Sequence, residues 1–105
     1  MAYRGMRVAV VCAGLAVVPA AGAHADAAAG ARLAQRWCVS CHVVGDNPPV
    51  AALPQGPPPF RSVARSGKSD DELRTFLMHP HGEMPDLALS RAEIADLIDY
   101  INSLR

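Results

Sequence analysis

This sequence predicts an all-α chain. Two segments open with the same helix-start device, Ser69 with Glu72 and Ser90 with Glu93 three residues on, which is the pattern of a capping box. Apolar residues then recur at helical spacing behind each start. No stretch alternates apolar and polar residues convincingly enough for a half-buried strand, and no internal repeat is present.

The first 25 residues stand outside that pattern. Arg4 and Arg7 precede an uncharged apolar run from Val8 to Ala21, and small Ala23 and Ala25 follow in an A-x-A arrangement. A basic start, a short apolar run and small residues before a cut describe a secretory signal peptide. The run falls short of the roughly 20 residues a membrane span needs, so cleavage after Ala25 with no stable membrane insertion is expected. Cys12 lies in the removed part, and bulky Val11 before it does not suit a lipoprotein cleavage site.

The remainder, 26–105, reads as one domain with eight Arg or Lys against ten Asp or Glu. Lys68 is its only lysine, and no basic stripe of the kind nucleic acid requires is present. A chain this short buries little apolar surface and needs a disulfide, a metal or a cofactor for stability. Export permits a disulfide. However, only Cys38 and Cys41 survive cleavage, and His42 directly follows.

Taken in order, the first helix is expected over roughly Ala27 to Cys41, with Gly30, Leu33, Ala34 and Trp37 on one face. A short turn of helix from Phe60 to Arg65 groups Phe60, Val63 and Ala64 and stops at Gly67. The third helix starts at the Ser69 box, where Asp70 and Asp71 suit the positive end of the helix dipole. It carries a stripe of Leu73, Phe76 and Leu77 and ends near His79 because Pro80 follows. The last helix starts at Ser90, with Leu89 and Ile94 as a hydrophobic staple. Ile94, Leu97, Ile98, Ile101 and Leu104 line its buried face, with Tyr100 on the flank. Between the first two helices, Gly45 to Pro59 holds six prolines in fifteen residues. It is either an extended linker or a rigid loop that presents proline carbonyls, which accept but have no N–H to donate.

Cys38, Cys41 and His42 spell C-x-x-C-H, the signature of c-type haem attachment. Residues three and four apart share a face of a helical turn. Both sulfurs can therefore reach one edge of a porphyrin while the His42 imidazole addresses its iron. Two rivals are weaker. A thioredoxin-like dithiol, suggested by Trp37 before Cys38, belongs at a helix start after a strand, and no strand precedes these cysteines. Zinc held by Cys38, Cys41 and two of His42, His79 and His81 has no second C-x-x-C, and adjacent Cys41 and His42 chelate poorly.

A second iron ligand is at hand downstream. Met84 stands between two helices immediately before Pro85, which forces extended geometry on it and lets its thioether project. A methionine opposite a histidine raises a haem's reduction potential. Met78 belongs to the preceding helix and reads as packing; His79 and His81 compete with Met84 for the iron but read better as solvent-facing residues beside the haem edge.

With "GARLAQRWCVSCH", "GPPPF", "HPHGEMPDLALS" and "EIADLIDYINSL" in view, the mature chain resembles a small bacterial class I cytochrome c. The resemblance implies a cytochrome c fold: three to four helices wrapped around one haem c, covalently attached through two thioether bonds. It implies that Gly30 packs against an aromatic of the last helix, for which Tyr100 is the counterpart. Ala34 stands where the family carries a phenylalanine. It also implies that a proline carbonyl accepts the N–H of the iron-bound histidine, matched by Pro58 with Pro57 beside it. Only 41 residues separate His42 from Met84, as in the short bacterial members.

The function this implies is that of a periplasmic monohaem one-electron carrier between redox proteins, not an enzyme, because both axial positions on the iron are filled. Val39, Val43 and Val44 would supply an apolar docking patch at the haem edge. The alternatives are a dedicated electron-transfer subunit of a periplasmic dehydrogenase or oxidase, docked through the proline-rich loop, and less favourably a haem sensor or weak peroxidase in which Met84 is labile.

Overall fold

The computed structural model describes residues 9, 13–18, 24–45, 56–79 and 81–105. Helix α1 spans Ala27–Trp37 and is capped by Asp26, whose carboxylate accepts the Ala28 amide at 2.8 Å. It stops at Trp37 rather than at the expected Cys41, because the chain tightens after Cys38. The Cys41 and His42 amides both donate back to the Cys38 carbonyl, at 3.1 and 2.8 Å. That turn keeps helical spacing outside the helix, so the motif's geometry outlasts the shorter element.

Helix α2, Phe60–Arg65, follows Pro59 in an extended conformation, and the Phe60 amide donates to the Val43 carbonyl at 2.9 Å. Helices α3, Asp70–Met78, and α4, Arg91–Ser103, both open with complete capping boxes on Ser69 and Ser90. Helix α3 ends as expected, with His79 extended at φ −124° and ψ 122°, the conformation proline enforces on its predecessor. Pro80 itself lies outside the described residues. Among the described residues every element is helical, so the all-α fold class holds.

Helix α4 is the hub. Helices α1, α2 and α3 each pack on it and not on one another. Ile94, Leu97, Ile98, Ile101 and Leu104 are all buried, together with Ala34, Cys38, Val44, Phe60, Ala64 and Leu73. Leu89 packs against this cluster from just ahead of α4. The crossing of α1 over α4 is close because Gly30 has no side chain: a Cβ there would sit 2.0 Å from the Asp96 carbonyl oxygen and 2.8 Å from the Tyr100 Cβ. The contact expected between Gly30 and Tyr100 is thus present. Side-chain ties reinforce the packing, with Asn102 donating to Asp70 at 2.8 Å and the Tyr100 hydroxyl donating to the Val44 carbonyl.

Three expectations about burial need correction. Trp37 is 51 % exposed and Phe76 is 43 % exposed, although both fall on predicted buried stripes. Trp37 is the last residue of α1. The Phe76 ring leans out to meet His81 edge-on at 5.0 Å, with the Lys68 ammonium 4.8 Å above it. Val44 is 3 % exposed and joins the core, so it drops out of the docking patch and leaves Val39 and Val43. Residues 46–55 of the proline-rich loop, and most of the segment read as a signal peptide, lie outside the described residues. Among the described residues, no helix is long and apolar enough to cross a membrane.

Candidate functional site

The site grows from the turn that follows α1. Cys38 is buried and Cys41 exposed, and neither is in a disulfide. Burial pushes the Cys38 thiol above its ordinary range. A reactive dithiol requires the opposite, a thiolate stabilised by positive charge or a helix start, so the redox-dithiol rival loses ground. Among the described residues no three His, Cys, Asp or Glu side chains converge on a point where a metal ion could sit. The zinc reading required such a cluster. Instead His79 and His81 attach to α3: the His79 Nδ1 lies 3.0 Å from the Thr75 carbonyl, and His81 meets Phe76.

His42 is held from two sides. Its Nδ1 lies 2.8 Å from the Pro58 carbonyl, a contact that requires Nδ1 to carry the proton, since a carbonyl only accepts. The imidazole therefore keeps Nε2 as its free lone pair, the atom available to a metal. The Phe60 ring packs against the imidazole with centroids 5.3 Å apart at 59°, and it continues to Tyr100 at 6.3 Å. This stack ties the motif to α4. Sequence reasoning grouped Phe60 with Val63 and Ala64 but missed its ring contact with His42. The signal was available in "PPF", where the aromatic stands two residues after the accepting carbonyl.

Met84 is partly buried in the connection between α3 and α4. Its amide donates to the His81 carbonyl at 3.0 Å, closing a turn in which Gly82 takes a positive φ of 55°. Downstream, the Ala88 amide donates to the Asp86 carboxylate at 2.9 Å, with Ala88 at φ 50°. Two closed turns thus bracket the Met84–Pro85 step and limit its freedom.

Comparison with known proteins adds an independent line. The family model described as cytochrome c oxidase, cbb3-type, subunit III, matches residues 25–101. The chain belongs to this family of c-type cytochromes. Cytochrome c-552 of Bradyrhizobium diazoefficiens is 46% identical over 98 residues, spanning 90% of this chain and 92% of the relative. No solved structure matches.

The cytochrome carries covalently bound haem c and acts as an electron carrier. Its residues fit that group by the chemistry of their donors: two unbridged cysteines three apart, and a histidine whose outer nitrogen is engaged and whose inner nitrogen is free.

Proposed function

We propose that this cytochrome is exported, cleaved after Ala25, and shuttles single electrons between larger redox proteins in the periplasm without catalysing a reaction of its own. Cys38 and Cys41 would hold the haem through thioether bonds, and His42 and Met84 would ligate its iron. When bound, the haem supplies a one-electron iron couple. The observation that carries this reading is the 2.8 Å contact between His42 Nδ1 and the Pro58 carbonyl. Such an outer hydrogen bond fixes the tautomer, orients the ring and raises the basicity of the ligating nitrogen. Met84 contributes a soft, neutral thioether that favours the reduced state. Ligation by both side chains would leave the iron no position for a substrate.

Charge bears on the partner. Eight basic against ten acidic residues in 26–105 give no cationic ring, so encounter depends little on long-range steering. Exposed Trp37 and Val39, next to the attachment turn, offer an apolar contact instead. The test is the rate of electron transfer to a redox partner against ionic strength. A shallow dependence is expected, and a steep fall from low to moderate salt would refute it.

A second reading has one observation in its favour. The matching family is described by a subunit of a cbb3-type oxidase, which suits a carrier dedicated to one complex. Against it, the relative that matches 90% of this chain is named simply cytochrome c-552, which suits a free carrier. Stoichiometric co-purification with an oxidase would favour the subunit.

A further inference from the structure

The backbone amide of Asp26, the residue just after the expected cleavage point, donates to the Asp96 carboxylate at 2.7 Å across 70 residues of sequence. Asp26 also caps α1, its own carboxylate being committed to the Ala28 amide, while its carbonyl accepts from Gly30 at 2.9 Å. Asp96 meets α1 twice: its carbonyl is the atom that a Gly30 side chain would strike, and its carboxylate reaches the start of the helix. The nitrogen of Asp26 is therefore not a loose chain atom. It is held at the crossing on which the fold turns.

We propose that the α-ammonium released on Asp26 by signal-peptide removal forms an ion pair with Asp96, a clamp between α1 and α4 completed only in the processed protein. This rests on the export reading above. A signal peptidase adds water across the Ala25–Asp26 peptide bond, leaving a carboxylate on Ala25 and an amine on Asp26, which takes up a proton. The donor at 2.7 Å then changes from a neutral amide to a cation. The carboxylate already makes this a charge-assisted bond; a cationic donor adds a direct attraction between opposite charges.

Among the described residues α1 packs only on α4, so few charges bear on the new terminus. On its own element there is the Asp26 carboxylate. On α4 there are Asp96, with Glu93 and Asp99 a turn to either side, and the Tyr100 hydroxyl. Glu93 is engaged by the Ser90 amide, and Tyr100 by the Val44 carbonyl. Asp96 is the acid in hydrogen-bond contact with the nitrogen. It also supplies negative charge at the helix N-terminus, where a bare ammonium would be disfavoured.

The test uses the exported holoprotein and its Asp96→Asn variant, which keeps an acceptor oxygen but removes the charge. Mass analysis reports the first residue and the haem adduct together, and NMR follows the titration of the α-amino group. In the native protein that group should titrate above the ordinary range of about 7.7–8.0, by about half a unit or a threefold change in proton affinity. In Asp96→Asn the excess should vanish. Because the folded value is raised, the extra stability is full below the ordinary range and lost as pH rises through the folded value. Equal values in the two proteins overturn the pair. A mature chain that starts anywhere but Asp26 overturns it too. The haem adduct in the same spectrum is a separate readout of the carrier reading, so the two failures are told apart.

Discussion

Replacing Gly30 with alanine tests the helix crossing directly. The added Cβ would lie 2.0 Å from the Asp96 carbonyl oxygen, 2.6 Å from its carbonyl carbon and 2.8 Å from the Tyr100 Cβ. Two of these are backbone atoms of α4, so no rotamer change relieves the clash and the helices must separate. Overpacking a core costs about 1–3 kcal/mol, and a backbone collision belongs at the upper end. Alanine regains about 1 kcal/mol over glycine inside a helix. The net cost is therefore about 2 kcal/mol, which in a domain this small lowers the melting temperature by roughly 8–16 °C. The assay is thermal unfolding of the holoprotein, followed by far-ultraviolet circular dichroism and by haem absorbance. Gly45→Ala is the control, since no described residue lies within 4 Å of a Cβ at that position. If Gly30→Ala melts within about 2 °C of the native protein, less than 1 kcal/mol is lost, and the close crossing is not what holds α1 to α4.

Other perturbations separate the site from the scaffold. Met84→Ala should remove the sulfur–iron absorption band of the oxidised protein, let the reduced protein bind carbon monoxide, and lower the reduction potential by on the order of 0.1 V, a fraction of the roughly 0.8 V that axial ligands command; an unchanged spectrum would assign the ligand elsewhere. Cys38→Ser with Cys41→Ser should leave the chain without covalent haem and unfolded at room temperature, because so short a chain closes no sufficient core alone; a cooperative melt in circular dichroism would contradict this. Ser90→Ala should cost about 1 kcal/mol through loss of the α4 cap, read from the urea midpoint. Hydrogen bonds from the backbone and then the side chains of Ser69 and Ser90 hold Glu72 and Glu93 below the ordinary carboxylate range. With folded values depressed, their contribution is full above about pH 4.3 and lost as pH falls through the folded values. Glu72→Gln with Glu93→Gln should flatten that acid limb of stability, and an unaltered limb would place the titration in other carboxylates.

Local chemistry made much of this protein legible in advance. A serine with a glutamate three residues on satisfies helix-start amides from within four residues, so α3 and α4 begin where the pattern says they do. C-x-x-C-H holds its spacing through a turn that needs only the Cys38 carbonyl as acceptor. Proline fixes the backbone of its predecessor, which set the end of α3 at His79. Each of these depends on residues close enough in sequence to meet whatever the rest of the chain does.

Helical periodicity was less reliable at the rims. It names the residues on a face without saying how far the partner helix extends, so Trp37 and Phe76 fell on apolar stripes and yet stand half in solvent. Val44 shows the reverse error. It reads as surface beside the motif, but the Tyr100 hydroxyl and the Phe60 amide draw its neighbourhood inward.

The helix starts, the attachment motif and the donor types were readable in advance because they are short-range bonding patterns between adjacent residues. The proline carbonyl that accepts from His42, the backing of the imidazole by Phe60, and the meeting of Asp26 with Asp96 emerged from the packed fold. Those pairings join parts of the chain 16, 18 and 70 residues apart, and they form only once α4 has gathered the other helices onto one apolar face.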